Sequence, residues 1–243
     1  MKFTVLTLFP EMFSAFTSTS IMARAAGQGH IEVECVNFRD YSDSPSKRVD
    51  DAPFGGGAGL VMKPQPLFDC LRDQSLAAGE RIVYLTPKGK TLTQQMVVDF
   101  SKLDRMVLVC GHYEGIDQRV IDTFVTDEVS IGDYVLTGGE IPAMVLMDAI
   151  SRMIEGVLNT EDSHMEESHY DGLLEYPHYT RPAVYEGMAI PDILLSGHHK
   201  NIELWRFEES VKLTGERRPD MLRAYYDRLT DKKKRKIVEK YLK

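Results

Sequence analysis

Short apolar runs and amphipathic segments take turns along the first 155 residues. The runs at 3–8, 31–37, 81–86, 106–110 and 123–128 have the length and the β-branched or aromatic content of strands. Between them, segments 12–26, 65–77, 91–103 and 140–155 repeat apolar residues at helical spacing. Strands alternating with helices predict an α/β domain on a mainly parallel sheet, in which ligands sit beyond the carboxyl ends of the strands.

The pattern stops at Gly156. Through Tyr179 no period survives, and Glu161, Asp162, Glu166, Glu167, Asp171 and Glu175 make the segment acidic. It reads as a mobile interdomain linker. After Pro191 helical spacing returns, with helices predicted over 201–213, 219–227 and 231–242, the last opened by the start signal Thr230-Asp231. The expected organisation is an α/β domain at 1–158, a linker at 159–180 and a small all-α domain at 181–243.

Charge sharpens that division. The 243-residue chain has a formal net charge of −8, which alone argues against a nucleic-acid partner. From Gly197 onward, however, Lys and Arg outnumber Asp and Glu by 14 to 8, while the first 196 residues hold 15 against 29. A basic C-terminal module therefore follows an acidic body. Three isolated cysteines, Cys35, Cys70 and Cys110, form no C-x-x-C pair and imply neither a disulfide framework nor a zinc site. The apolar start 3–9 is cut off by Pro10, and no stretch reaches the ~20 apolar residues of a membrane helix. A cytoplasmic protein without a membrane partner is expected.

Two nucleotide signatures fail on inspection. A P-loop ending in Gly89-Lys90-Thr91 needs glycine where Tyr84 stands. Gly55-Gly56-Gly57-Ala58-Gly59 lacks the dinucleotide register and follows carboxylates, not a strand. More informative are three glycine-bearing loops, one after each of the third, fourth and fifth candidate strands: Tyr84-Leu85-Thr86-Pro87-Lys88-Gly89, Cys110-Gly111-His112-Tyr113-Glu114-Gly115, and Ser130-Ile131-Gly132-Asp133-Tyr134-Val135-Leu136-Thr137-Gly138-Gly139-Glu140. All three are expected on one sheet edge. Their glycines let backbone amides approach a flat ligand such as adenine, and Tyr84, Ile131, Tyr134 and Leu136 offer apolar walls. The last two loops hold no Lys/Arg cluster, which disfavours a triphosphate.

These strings, with Leu6-Thr7-Leu8-Phe9-Pro10-Glu11-Met12-Phe13, Val49-Asp50-Asp51-Ala52-Pro53-Phe54, Gly172-Leu173-Leu174-Glu175-Tyr176-Pro177-His178-Tyr179-Thr180-Arg181-Pro182 and Ser196-Gly197-His198-His199, carry a resemblance. Over nearly its full length the chain resembles the bacterial tRNA (guanine-37-N1)-methyltransferases of the knotted SPOUT superfamily. That resemblance implies a deep trefoil knot in the α/β domain, S-adenosylmethionine as methyl donor, a tRNA anticodon stem-loop as partner, and a homodimer whose sites are each completed by the partner subunit's linker. On matching positions the donor would contact Tyr84, Leu85 and Pro87 from the first loop and Gly111 and Glu114 from the second. The third loop would supply Ile131, Gly132, Asp133, Tyr134, Val135, Leu136, Gly138 and Gly139, followed by Pro142.

Methylating guanine N1 requires removal of its proton, so a general base is expected, together with a cation or donor for charge at O6. The family's base is an aspartate in a D-S-F string. Here Glu167-Ser168-His169 stands in its place, putting Glu167 at the base position, with Asp171 as the second candidate. Arg152 matches the arginine that orients the base and stabilises O6, where magnesium is a further candidate. Arg181, Arg206, Arg217, Arg218 and the run 232–236 are candidates for phosphate contacts. His198 reads as a helix cap or RNA contact, because adjacent His198 and His199 diverge on a helix and do not share a metal. Trp205, Tyr225 and Tyr226 read as packing aromatics, and His112 receives no function. Two alternatives stay open: a catalytically weak RNA-binding or assembly factor, and a SPOUT methyltransferase acting at another tRNA position.

Overall fold

The computed structural model describes residues 1–158 and 167–242. Glu161, Asp162 and Glu166 lie outside them. Contacts divide the chain into two compact units, Met1–Glu161 and Asp162–Lys243.

In the first unit, β1 (Lys2–Thr7), β2 (Glu32–Asn37), β5 (Arg81–Thr91), β6 (Arg105–Cys110) and β7 (Asp127–Ser130) form one sheet in the order β2-β1-β6-β5-β7. Every neighbouring pair is parallel. Two-residue strands β3 (Asp50–Asp51) and β4 (Val61–Met62) pair antiparallel beside it. Helices α1 (Met12–Thr17), α2 (Ser20–Gly27), α3 (Pro64–Asp73), α4 (Gln94–Phe100), α5 (Gln118–Phe124) and α6 (Glu140–Ser151) cover the sheet.

The two-residue period of the strands sorts the core onto both faces. Phe3, Val5, Val83, Leu85, Met106, Leu108 and Cys110 pack with Phe13, Met22, Phe100 and Leu146 from α1, α2, α4 and α6. Their sequence neighbours Leu6, Ile82, Tyr84, Val107 and Val109 face the other way, onto Leu67 and Leu71 of α3 and Val120 of α5. Burial on both faces is why these strands read as continuous apolar runs. Leu146 is fully buried, so Leu146→Ala is expected to lower unfolding free energy by about 2–5 kcal/mol through lost contacts and a residual cavity, read by urea denaturation.

Three elements depart from the periodicity. Segment 12–26 is two helices, because the Thr17 and Thr19 hydroxyls donate to the carbonyls of Phe13 (3.0 Å) and Ala15 (2.7 Å) where the turn breaks. Segment 123–128 was expected as a strand, but Thr123 and Phe124 end α5 and the strand starts at Asp127. Asp117 caps that helix by accepting from the Arg119 amide at 3.0 Å, and Val120, Ile121 and Phe124 turn one side of it to the core. Strand β5 runs on to Thr91 because Lys90 and Thr91 resume pairing with Val129 and Ser130 after an irregularity at Leu85/Lys90.

The second unit holds α7 (His199–Arg217), α8 (Pro219–Arg228) and α9 (Lys232–Glu239) around Leu173, Val211, Leu222, Tyr225 and Val238. Asp231 opens α9 by accepting from the Lys233 and Lys234 amides at 2.8 and 3.0 Å. The expected all-α character of 181–243 fails at its start, where β8 (Val184–Tyr185) and β9 (Met188–Ala189) form an antiparallel pair. Glu186 and Gly187, at φ 49° and 78°, close it as a two-residue turn of the kind that joins twisted strands.

Candidate ligand-binding site

Strands β6, β5 and β7 are neighbours, so the segments that follow β6 and β7 emerge beside the irregular stretch within β5 between Leu85 and Lys90. They enclose a cavity of about 320 Å³. It is lined by Tyr84, Leu85 and Pro87 from the first segment, Gly111 and Glu114 from the second, and Ile131, Gly132, Tyr134, Val135, Leu136, Gly138 and Gly139 from the third, with Pro142 at the start of α6. Asp133 is exposed and does not line it. Thus the structure brings the three loops into one wall, with Asp133 on its outer side.

Local chemistry explains how the loops meet. Gly111 lies against the buried ring of Tyr84, and a Cβ there would stand 2.9 Å from that ring. The Gly139 amide donates to the Gly111 carbonyl at 2.9 Å, stitching the second loop to the third. The second loop is also held from outside: Met62 donates to Gly115 at 2.9 Å and Asp117 to Met62 at 3.0 Å, while Glu114 donates to Leu60 at 2.9 Å. The glycine-rich stretch 55–59 therefore leads into the segment that backs the cavity. Gly89 fits against the Glu128–Val129 backbone as β5 resumes pairing, which gives it a packing role in place of a phosphate-loop one.

The cavity's polarity is mixed and its charge small. Lys88, His112, Glu114 and Glu128 are the ionisable lining groups apart from tyrosines. Tyr134, Val135 and Leu136 present exposed apolar surface beside it. Burial pushes the Tyr84 phenol up, against hydrogen bonds to the Ile116 backbone and Thr86. Among the described residues no group of three or more His, Cys, Asp or Glu side chains is placed to hold a metal ion. No described helix is long and apolar enough to cross a membrane.

Cys110 ends β6 directly below the cavity, and burial pushes its thiol well up. Burial also raises Cys35 to about 11 and Cys70 to about 12. Burial thus keeps the unreactive thiol form dominant at all three positions near neutral pH. Iodoacetamide is therefore expected to label the native protein slowly at all three positions and rapidly once urea unfolds it, as mass spectrometry of the labelled chain would show.

The remaining candidates fall as follows. Arg152 follows the last residue of α6 in the first unit. Glu167 and Asp171 belong to the second unit. Asp171 is engaged locally, its Oδ1 accepting from the Leu173 amide at 3.0 Å and its carbonyl from Arg228. Arg181 is exposed. His198 precedes α7 with no side-chain capping bond, so its cap role is not realised. Arg206 lies over the Tyr176 ring at 4.9 Å, Arg217 sits in the last turn of α7, and Arg218 is held by both Asp220 oxygens at 3.0 and 2.7 Å. Arg235 donates to the Tyr226 and Leu229 carbonyls, so part of the basic run serves the fold. Tyr225 is buried in the helical core, as a packing aromatic should be.

Sequence reasoning missed the polar cluster behind the cavity. Glu140, almost completely buried, accepts from the Thr7 hydroxyl and meets His112 Nε2, each at 2.7 Å. Residues 133 positions apart in sequence are joined there, and only the acid placed inside an otherwise apolar helix start hinted at it.

A parallel α/β unit with a loop-walled cavity at the carboxyl edge, joined to a helical unit whose positive charge is concentrated from Gly197 onward, has the architecture of an enzyme that binds a small, weakly charged ligand. The chain belongs to the family described as tRNA (Guanine-1)-methyltransferase TrmD, whose profile matches residues 1–224. It is 55% identical over 228 residues to a protein of Alkaliphilus metalliredigens named tRNA (guanine-N(1)-)-methyltransferase, covering 92% of each chain. It is 54% identical to a protein of the same name from Clostridioides difficile, over 91% of this chain and 97% of that one. A Staphylococcus carnosus protein, again of that name, is 49% identical over 100% of this chain and 98% of its own.

Proposed function

We propose that the chain transfers a methyl group from S-adenosylmethionine to N1 of guanosine 37 in tRNA. One observation carries the reading: the irregular stretch of β5 and the segments following its sheet neighbours β6 and β7, rich in glycine and apolar side chains and poor in basic ones, wall a single cavity. The names of close relatives support the guanine and the tRNA.

The cavity suits the donor. Gly111 and Gly139 carry no side chain because a Cβ would meet the Tyr84 ring or the Cys110 backbone, so this part of the wall is closely packed backbone whose amides and carbonyls can face a flat heterocycle. The walls at Leu85, Ile131 and Leu136 are apolar, and Glu114 offers a carboxylate to a cationic ligand. The bound donor supplies an already electrophilic methyl carbon on its sulfonium. What the chain must add is proton removal and charge balance. Glu167 accepts the N1 proton and so frees the nitrogen lone pair, while the Arg152 guanidinium offsets the negative charge that develops on O6. Glu167 is one methylene longer than the family's aspartate, so its backbone is set back by about one bond length to reach the same proton.

In this reading the three loops belong to a trefoil knot, and two chains assemble with each linker completing the partner subunit's site. The anticodon stem lies on the second unit at Arg181, His198, Arg206 and Arg217, the last three within its basic stretch from Gly197 onward. Arg218 contributes less, because a phosphate must displace its pairing with Asp220.

Transcripts differing only at position 37 test the proposal. Methyl label from S-adenosylmethionine is expected on the guanosine-37 tRNA and not on the adenosine-37 one. Equal labelling of both overturns it.

A further inference from the structure

We propose that Glu140 is a positioning residue: its buried carboxylate ties the second and third loops to the sheet and thereby sets the width of the cavity. The inference rests on the reading of that cavity as the donor site. Glu140 is 1% exposed, and among the described residues its side-chain hydrogen-bond partners are Thr7 and His112. A carboxylate is costly to bury and is seldom found so deep without partners that need it.

Here the partners belong to separate segments. Oε1 accepts from the hydroxyl of Thr7, at the end of β1, and that hydroxyl accepts in turn from the Phe9 amide at 2.9 Å. The Thr7 proton is therefore aimed at Glu140. Oε2 meets His112 Nε2 in the second loop. Glu140 itself opens α6, where a negative side chain is favoured by the helix dipole and where the third loop ends. One carboxylate thus joins the sheet, the second loop and the third.

The space around it is closed by glycine. His112 bridges to Gly138, and a Cβ at Gly138 would run into the imidazole and stand 2.6 Å from Oε2. Gly111, His112, Gly138 and Gly139 all line the cavity. Removing the carboxylate leaves the Thr7 hydroxyl and the imidazole without their acceptor, and the ring, edge-on to Phe9 at 5.0 Å, is freed to turn into the cavity.

Calorimetric binding of S-adenosylmethionine to the full chain tests this. Glu140→Ala is expected to weaken binding by about tenfold and to raise KM for the donor without lowering kcat at saturation. Glu140→Gln is expected to stay within about threefold, since its amide oxygen still accepts from Thr7 and its nitrogen can donate to a neutral imidazole. The Glu140→Ala/His112→Ala double variant should bind no more weakly than Glu140→Ala alone. A merely structural acid would lower Tm and leave the affinity of the folded protein unchanged. Donor binding by folded Glu140→Ala equal to that of the unmodified chain overturns the inference. Should Glu140→Ala not fold, Thr7→Val, which removes the tie to the sheet without changing a residue of the cavity wall, decides it: several-fold weaker donor binding supports the proposal, and unchanged binding overturns it. Failure of the unmodified chain to bind the donor overturns the reading of the cavity, and this inference with it.

Discussion

Glu167→Gln is expected to slow methyl transfer by about 10²–10⁴-fold while donor affinity stays as it was. The amide keeps the size and the polarity of the side chain but cannot accept the N1 proton. Without that step the guanine nitrogen has no lone pair to offer. The loss should appear in single-turnover rates on tRNA, and calorimetric donor binding should not move, because the cavity is built from residues of the first unit. Asp171→Asn provides the comparison: that carboxylate is committed to the Leu173 amide, so most of the rate should remain. A large loss at 171 with none at 167 would move the base to Asp171 and leave Glu167 as an ordinary linker acid.

Gly139→Ala is expected to weaken donor binding by about one to two orders of magnitude and to destabilise the fold. An added Cβ would stand 2.7 Å from the Cys110 Cα and 3.0 Å from the Gly111 nitrogen, and both are backbone atoms that cannot rotate away. Either the Gly139–Gly111 hydrogen bond opens or the start of α6 moves, and overpacking of this kind costs about 1–3 kcal/mol. Since those glycines are also cavity wall, a comparable penalty on the donor is tenfold in affinity for about each 1.4 kcal/mol. Thermal denaturation and donor calorimetry on the same sample read both. A full drop in Tm with unchanged donor affinity would place the donor elsewhere.

The parts of the fold legible in the sequence were those with strong local signals. Strands such as β1 and β6 are buried on both faces and announce themselves as apolar runs, and Asp231 caps α9 where the start signal placed it. Helix α5 was not legible, because its Thr, Phe and Val carry strand propensity and only packing of Val120, Ile121 and Phe124 onto the core settles the helix. The continuation of β5 past Gly89 depends on close approach to a strand nearly 40 residues later, which no local pattern encodes.

The candidate site divides the same way. Its lining could be listed from three glycine-bearing strings because each stands at the carboxyl end of an apolar run, and parallel topology gathers those ends at one edge, although the first string turns out to be an irregularity within β5. The Thr7–Glu140–His112 cluster could not, since its members are far apart in sequence and none belongs to a recognisable pattern. The same limit applies to Arg218 and Arg235, whose basic character suggested phosphate contacts while their partners lie within the protein.

The most direct test is the identity of the nucleoside produced. Full-length guanosine-37 tRNA, incubated with the protein and S-adenosylmethionine, then digested and analysed by mass spectrometry against standards, is predicted to yield 1-methylguanosine from position 37. Methyl groups on a ribose 2′-hydroxyl, or on a base at another position, would contradict the account.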